Sequence, residues 1–198
     1  QALIMAGLVF AGERKVAKAG EMLAEDSALE VRGRDHPWVS RGGLKLAAAL
    51  DAFGIVPHGT WMDVGASTGG FTDVLLARGA ARVHAVDVGT NQLAWKIRTD
   101  PRVVVLEKTN ARSLTQAEIP EPVDGIVCDA SFIALARVLE VPLTFAKPGA
   151  FLVALVKPQF EAGRSEVGKG GIVRDAQVHA RVCAQAEAWI AGEGWVHL

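Results

Sequence analysis

The segment WMDVGASTGGFTDVLL, residues 61–76, constrains the fold more than any other part of the 198-residue chain. It has the pattern of a short apolar strand with an acidic residue, followed by a glycine-rich turn and the start of a helix. Glycines at such a turn let the backbone bend sharply and approach a ligand that a Cβ atom would exclude. We therefore expect a nucleotide-like cofactor to be bound here, by Asp63, Gly65, Ser67, Gly69 and Gly70.

The spacing of these glycines indicates which kind of cofactor the turn binds. It departs from the phosphate-binding pattern G-x-G-x-x-G, because Ser67 stands at the middle glycine position. A cofactor that carries an adenosine but no pyrophosphate fits better, and S-adenosylmethionine is the predicted one. The same serine weighs against NAD.

Strand-like and helix-like segments alternate from Ser40 onward. The alternation predicts an α/β fold, a Rossmann-like, doubly wound and mostly parallel sheet with ligands at the carboxyl ends of its strands. Together with the predicted S-adenosylmethionine, this fold would be of the class I methyltransferase type. Its predicted strands cover residues 61–64, 82–87, 103–106, 125–129 and 150–157, and its predicted helices cover 43–53, 71–78, 91–98, 133–145 and 175–191.

Residues 1–34 have a different pattern, with a helix end stopped by Gly7 and then short strands separated by turns. A segment of this size falls below the ~40 residues that an unaided domain needs. We interpret it as part of a small α/β module, joined by a linker over residues 35–39 to a main domain over residues 40–198. We also expect strands of the main domain to be missing after Leu198.

Polar residues at the predicted strand ends are candidates for binding the cofactor. Asp87 follows the glycines by roughly 20 residues, where a carboxylate accepts ribose hydroxyls, although NAD enzymes share this feature. Asn110 follows the third strand, where it would contact the adenine or form a simple Asx turn. Asp63 would face the cationic amino-acid portion of the cofactor or would cap the turn.

A second set of residues points to the chemistry. Asp129 ends the fourth predicted strand in CDASF, which lacks the two prolines typical of enzymes that methylate exocyclic amines. Lys157 ends the fifth strand, and Lys45 lies in the first helix. Taken alone, each of these lysines could also be an ordinary side chain that extends into solvent. With Asp129 between two lysines, the set favours O-methylation, since a ribose hydroxyl must lose its proton as it attacks a methyl group.

Five ordered blocks, SRGGLKL, DVGASTGGFTDVLL, VDVGTNQL, CDASFI and VKPQFEAGR…VGKGGIVRD, resemble the TlyA family. This family comprises ribosomal RNA 2′-O-methyltransferases, historically named haemolysins, with an FtsJ-like catalytic domain. The resemblance implies that residues 1–34 are part of an RNA-binding module of the ribosomal-protein S-four type. It also implies a Lys-Asp-Lys-Glu tetrad whose first three members are Lys45, Asp129 and Lys157. The glutamate is expected beyond Leu198, because Glu161 comes too early.

Ribosomal RNA within ribosomal subunits is the expected partner, in the cytoplasm. A net charge of −1 gives no global attraction to RNA, so local cations must supply it, and ordinary solvated charges are the alternative for each of them. The candidates are Arg32, Arg34, Arg41, Arg164, Lys169 and Arg174.

Other features narrow the class of protein. The two cysteines suggest no disulfide framework, and the five histidines have no spacing typical of a metal site. No apolar run reaches the ~18 residues of a membrane span, so a membrane-active haemolysin is a weaker hypothesis. A non-catalytic RNA-binding or ribosome-assembly factor that keeps the cofactor fold remains an alternative.

Overall fold

The computed structural model describes residues 2–5, 7–18, 20–24, 26–31, 33 and 36–197. The chain divides into two compact units, residues 1–37 and residues 38–198.

The first unit contains a short helix and a small antiparallel sheet. Helix α1 covers Ala2–Met5, and strands β1, β2 and β3 cover Val9–Ala11, Arg14–Lys15 and Leu29–Val31. Strand β1 lies between β2 and β3. The side chains of Val9 and Val16 are buried in this unit. The short strands expected for this region are therefore present.

The second unit alternates strands with helices, as the sequence pattern predicts. Its strands are β4 (Thr60–Val64), β5 (Arg82–Val86), β6 (Val103–Leu106), β7 (Val123–Cys128) and β8 (Ala146–Ala154). Its α-helices are α2 (Gly42–Phe53), α3 (Gly70–Ala77), α4 (Trp95–Arg98), α5 (Leu135–Leu143), α6 (Pro158–Glu161) and α7 (Ala176–Gly192). Two short 3₁₀ helices cover Ala111–Ser113 and Arg164–Glu166.

The five strands of this unit form one parallel sheet in the order β6-β5-β4-β7-β8. The chain runs outward from β4 to β6 and then returns to the other side of β4 for β7 and β8. The strand order thus reverses between β4 and β7. In open α/β sheets, ligands bind in the crevice outside the carboxyl ends of the strands at such a switch point.

Two apolar layers cover the faces of the sheet, and successive residues of a strand face opposite layers. Trp61 belongs to the layer that contains α2 and α3, whereas Met62 and Val64 belong to the layer that contains α5. All three side chains are buried. This alternation places Asp63 on the side of α3.

Three of the five observed strand ends differ from the predicted ones, whereas β4 and β6 end where they were predicted to end. Strands β5 and β7 end one residue before Asp87 and Asp129, and β8 ends three residues before Lys157. The backbone N–H groups of Asp87 and Asp129 still donate to Leu106 and Val64 of the neighbouring strands. These two carboxylates therefore stand on the first residue beyond the regular ladder.

Two further boundaries differ from the expectation. Helix α4 begins at Trp95, four residues later than predicted, and β8 begins at Ala146, four residues earlier. Strand β8 includes Pro148 and Gly149 because its pairing with β7 shifts register at this point. Such an irregularity accommodates residues that a regular ladder excludes.

The helices and the two cysteines have further properties that bear on the class of protein. No helix in the described part of the chain is long and apolar enough to cross a membrane. Both cysteines are free, with Cys128 buried and Cys183 exposed, and burial raises the pKa of the Cys128 thiol to about 12.

The close contact between β4 and β7 yields a test of the packing. A Cβ atom on Gly125 would lie 2.4 Å from Cζ3 of Trp61, whose ring is buried and whose Nε1 donates to the carbonyl of His58 at 2.8 Å. We predict that Gly125→Ala destabilises the protein by ~1–3 kcal/mol through overpacking. This corresponds to a loss of roughly 5 °C in thermal unfolding for a chain of this size.

Gly192→Ala is the matched control, because a Cβ atom on that glycine would meet nothing within 4 Å. Its melting temperature is expected to stay equal to or slightly above that of the wild type. Equal melting temperatures for the wild type and Gly125→Ala would contradict the packing described here.

Candidate active site

A cavity of about 530 Å³ lies at the switch point, a volume within the usual range for small-ligand sites. Its lining comes from four segments: the start of α2, the turn after β4, the segment after β7 and the segment after β8. The lining residues include Ser40, Arg41, Gly42, Lys45, Gly65, Ala66, Ser67, Thr68, Gly70, Phe71, Asp129, Ser131 and Lys157.

The turn after β4 needs its glycines for two different reasons. Gly65 has a φ of +82°, and a Cβ atom on it would lie 2.9 Å from Cα of Ala130. Gly70 begins α3, and a Cβ atom there would lie 2.2 Å from Oγ of Ser40. The first glycine lets the turn approach the segment after β7, and the second lets α3 approach the start of α2.

Asp87 shapes this turn from the neighbouring strand. Its Oδ2 accepts from the N–H of Ser67 at 2.8 Å, and its Oδ1 accepts from the N–H of Gly89 at 2.7 Å. Ser67 has a φ of +47°, which costs free energy for a residue with a side chain. The carboxylate of Asp87 thus holds the turn in its strained conformation.

Asp87 and Asn110 lie outside the lining of the cavity, as do Asp63 and Gly69. The side-chain oxygen of Asn110 accepts from the N–H of Arg112 at 3.1 Å, which is the Asx turn that the sequence left open as an alternative.

Asp63 lies beneath the turn and is fully buried. Its Oδ2 accepts from the N–H and from the hydroxyl of Thr72, at 2.9 and 2.7 Å, and so caps the start of α3. Its Oδ1 is buried without a hydrogen-bond partner among the described residues. The pKa of Asp63 is raised to about 7. Burial is the largest cause, the charges of Asp129 and Asp87 act in the same direction, and the Thr72 hydrogen bonds act against it.

Asp129 lies between the two lysines. Its Oδ1 is 2.6 Å from Nζ of Lys157, and its Oδ2 accepts from Nζ of Lys45 at 3.3 Å. The Lys157 and Asp129 side chains are mostly shielded, at 17% and 19% exposure, whereas Lys45 is 52% exposed. The structure therefore brings the three predicted catalytic residues into contact at one end of the cavity.

Ser131 is a fourth residue of this cluster that the sequence analysis did not single out. Nζ of Lys157 donates to Oγ of Ser131 at 3.0 Å and to the backbone carbonyl of Asp129 at 3.0 Å. The position of Ser131 two residues after Asp129 was visible in the sequence. Its contact with a lysine 26 residues later depends on the pairing of β7 with β8.

The wall formed by residues 40–42 is held by α3. The N–H of Val39 donates to Oδ2 of Asp73 at 2.9 Å, and Nζ of Lys96 lies 2.8 Å from Oδ1 of the same carboxylate. Trp38 packs against α2, where a Cβ atom on Gly43 would lie 2.5 Å from its Cγ. The end of the predicted linker is thus packed onto the second unit.

Two phenylalanines lie next to the cluster. Phe132 is 91% exposed and has a φ of +66°. Its ring centroid is 5.1 Å from that of Phe160. Glu161, which follows Phe160, accepts from the N–H of Leu135 at 2.8 Å and so caps α5.

The basic residues predicted to contact RNA divide into three groups. Arg41 lines the cavity. Arg164, Lys169 and Arg174 are exposed residues of the loop that follows α6, outside the lining of the cavity. The remaining two, Arg32 and Arg34, lie outside the described residues.

Comparison with known proteins identifies the fold and its family. Residues 38–198 match the FtsJ-like methyltransferase family. The 16S/23S rRNA (cytidine-2′-O)-methyltransferase TlyA of Mycobacterium tuberculosis is 52% identical over 181 residues, covering 90% of this chain and 68% of that protein. The chain belongs to the TlyA family of FtsJ-like methyltransferases.

Two further relatives agree with this assignment. YqxC of Bacillus subtilis is 49% identical over 195 residues, which are 98% of this chain and 69% of that protein. The solved structure of a hemolysin-named protein from Streptococcus thermophilus superposes with a TM-score of 0.78 and 43% identity, covering 94% of this chain and 69% of that one. The predicted family and the predicted α/β fold are thus confirmed.

The site of this TlyA-family chain fits the cofactor that a methyltransferase needs. The cavity lies beside the glycine turn after β4, has the volume of a small-ligand site, and is lined by the polar side chains of Asp129, Ser131 and Lys157. Within the described residues, no group of three His, Cys, Asp or Glu side chains is arranged to hold a metal ion.

The buried carboxyl group of Asp63 predicts a pH dependence of stability. Its pKa is about 7 in the folded protein against 3.8 when exposed. Because the folded state keeps a proton that the unfolded state releases, stability falls as pH rises from about 4 to about 7. In Asp63→Asn, whose amide oxygen can still accept from Thr72, this fall is absent.

The measurement compares the melting temperatures of wild type and Asp63→Asn between pH 4.5 and pH 8. As the pH rises, the free energy of unfolding of the variant should increase relative to that of the wild type, by an amount on the order of a few kcal/mol. The melting temperature of the variant should increase relative to that of the wild type accordingly. Gly192→Ala, which changes no titratable group, should show no such trend. Parallel curves for Asp63→Asn and the wild type would refute the raised pKa.

Proposed function

We propose that this chain catalyses the 2′-O-methylation of ribose in ribosomal RNA, with S-adenosylmethionine as the methyl donor. The observation that carries the proposal is the carboxylate of Asp129 between Lys45 and Lys157 at the switch point, beside the glycine turn. The M. tuberculosis relative is named for methylation of cytidine 2′-oxygens in 16S and 23S rRNA. Cytidine is therefore the first nucleotide to test.

The roles of the three charged residues follow from their contacts. Lys157 is the proposed general base, because its amine is the more shielded of the two lysines that line the cavity. Asp129 orients that amine and offsets the positive charge that it gains with the proton. Lys45 is the more exposed and would contact the ribose or the adjacent phosphate.

When bound, S-adenosylmethionine supplies a sulfonium methyl group, and its sulfur keeps the electron pair when the methyl leaves. The proposed holders are the turn residues Gly65, Ser67, Gly69 and Gly70, with Asp63 supporting the turn from below. Asp87 and Asn110 are proposed for the adenosine part, and Asp129 borders the reacting end. The proton of the ribose hydroxyl passes to Nζ of Lys157. Alignment of the attacking oxygen by these residues supplies much of the acceleration.

RNA binding is proposed to use both units. Residues 1–34 would act as a partial S-four-type RNA-binding module, with residues 35–39 as the linker and residues 40–198 as the catalytic domain. Arg41, Arg164, Lys169 and Arg174 would contact phosphates, as would Arg32 and Arg34. Such contacts position the RNA without reading its sequence.

Lys157→Ala tests the proposed base. We predict a fall in methyl transfer of at least about a hundredfold, because a positioned general base contributes ~10²–10⁴-fold. Transfer of labelled methyl groups to isolated small and large ribosomal subunits measures the rate. Calorimetry with S-adenosylmethionine should give a Kd within about threefold of the wild type.

Lys147→Ala is the control for removal of a lysine. Lys147 pairs with Asp124 at the opposite end of the sheet and is 45% exposed, so its loss should leave the rate unchanged. Undiminished transfer by Lys157→Ala would remove this lysine from the proposed role. Cofactor binding by the wild type without transfer to any RNA would support the assembly-factor alternative.

Phe132 is a second element of the proposed RNA site. A residue with a side chain held at positive φ costs ~1–3 kcal/mol and persists where the surroundings over-determine it. Here the result is an exposed ring supported by Phe160, next to Asp129 and Lys157. Proteins bind unstacked RNA bases by stacking them on aromatic side chains. We propose that Phe132 stacks on the base of the target nucleotide.

The substitution Phe132→Leu tests the stacking. A stacked base contributes ~1–3 kcal/mol, so we predict that KM for the RNA rises about tenfold while the Kd of S-adenosylmethionine is unchanged. Phe53→Leu is the matched control, since Phe53 is 52% exposed at the far end of α2. Equal KM values for Phe132→Leu and Phe53→Leu would exclude the stacking role.

A further inference from the structure

We propose that Ser131 is a positioning residue for Lys157, whose hydroxyl fixes the direction of the lone pair that accepts the ribose proton. The inference rests on the methyl transfer proposed above, and it assigns a role to a residue outside the three charged members of the cluster.

Three oxygen atoms surround Nζ of Lys157. Two of them, the carbonyl oxygen of Asp129 and Oγ of Ser131, accept hydrogen bonds from it at 3.0 Å each. The third, Oδ1 of Asp129, lies 2.6 Å away. Oδ1 nevertheless has no aligned hydrogen-bond partner in the described part of the chain. The amine therefore lies beside the carboxylate. Besides its bond to Cε, the tetrahedral nitrogen has three positions that hold an N–H or the lone pair, and two of these positions face the carbonyl oxygen of Asp129 and Oγ of Ser131.

The valence of the amine then determines what Ser131 does. A neutral lysine amine has two N–H bonds and one lone pair, whereas the ammonium has three N–H bonds. When Asp129 O and Ser131 Oγ each accept one N–H, the lone pair occupies the third position. The proton of the ribose hydroxyl can be accepted only there. Loss of the hydroxyl leaves one fixed N–H, and the amine can then rotate its lone pair away from the ribose.

The backbone on both sides of Ser131 is held in place. The N–H of Asp129 donates to the carbonyl of Val64 at 3.2 Å, and Ala130 packs against the backbone of Gly65. Phe132, with its φ of +66°, turns the chain away immediately after Ser131. Ser131 is thus held on both sides, and it lines the cavity together with Lys157.

The proton balance agrees with this geometry. After transfer, the ammonium keeps its bonds to Asp129 O and Ser131 Oγ and carries the new N–H at the third position. The carboxylate of Asp129, already 2.6 Å away, compensates the positive charge. Ser131 neither gains nor loses a proton, so it acts through Lys157.

The test compares wild type, Ser131→Ala, Ser131→Thr and Lys157→Ala in single-turnover methyl transfer to ribosomal subunits at saturating cofactor. We expect Ser131→Ala to lower the rate constant about ten- to a hundredfold, less than Lys157→Ala, because a misdirected base costs up to ~10²-fold. KM for the RNA and Kd for S-adenosylmethionine should stay within about twofold. Ser131→Thr, which keeps the hydroxyl, should recover the rate to within about threefold.

A second readout needs no activity. The ¹⁵Nζ resonance of Lys157 in the protein without cofactor should shift in Ser131→Ala and return in Ser131→Thr. Thr144→Val is the control: it removes a hydroxyl that donates to Val141 at 2.7 Å at the end of α5, and it should change neither the resonance nor the rate.

The outcomes separate the two proposals. A wild-type rate for Ser131→Ala, or an unchanged Lys157 resonance, overturns the role of Ser131 while methyl transfer stands. A wild type that methylates no RNA overturns the proposed function, and the resonance still tests the contact. If Ser131→Ala does not fold, Ser131→Cys, with its weaker acceptor, takes its place. Loss of rate in Ser131→Thr equal to that in Ser131→Ala also overturns the inference.

Discussion

The pairing of β4 with β5 on one side and with β7 on the other determines where all the chemistry lies. Because these strands are parallel and in register, the residues beyond their carboxyl ends meet at one edge of the sheet. Asp87 and Asp129 stand there on two neighbours of the same central strand. Gly65 completes the arrangement, since only a residue without a Cβ atom lets the turn lie against Ala130.

Three carboxylates at this edge have different surroundings and therefore different uses. Asp63 is buried and capped by Thr72, and burial raises its pKa. Asp87 is occupied by two backbone N–H groups. Asp129 has lysines on both sides and faces the cavity. The first two shape the turn, and of the three only Asp129 lines the cavity, where we propose that its charge acts on the reacting group.

The sequence predicted the order of strands and helices because apolar periodicity and glycine turns are local signals. Asp129 and Lys157 were expected at one sheet edge because each ends a predicted parallel strand, whereas Lys45, in the first helix, was grouped with them through the chemistry and the family resemblance. The ends of β5, β7 and β8 were predicted one to three residues too late, because the ladder stops where backbone partners stop. The contact of Ser131 with Lys157 and the positive φ of Phe132 arise from tertiary packing, which no local pattern encodes.

The contrast between Lys45 and Lys157 follows from the same topology. Lys45 projects from a helix and is 52% exposed, so a single oxygen of Asp129 at 3.3 Å holds it. Lys157 follows a strand whose neighbour supplies Asp129 and Ser131, and three oxygens surround its amine at 17% exposure. The proposed base must be held in one direction, whereas the cation proposed to contact RNA must adapt to the RNA. The sheet edge provides the fixed amine, and the helix provides the adaptable one.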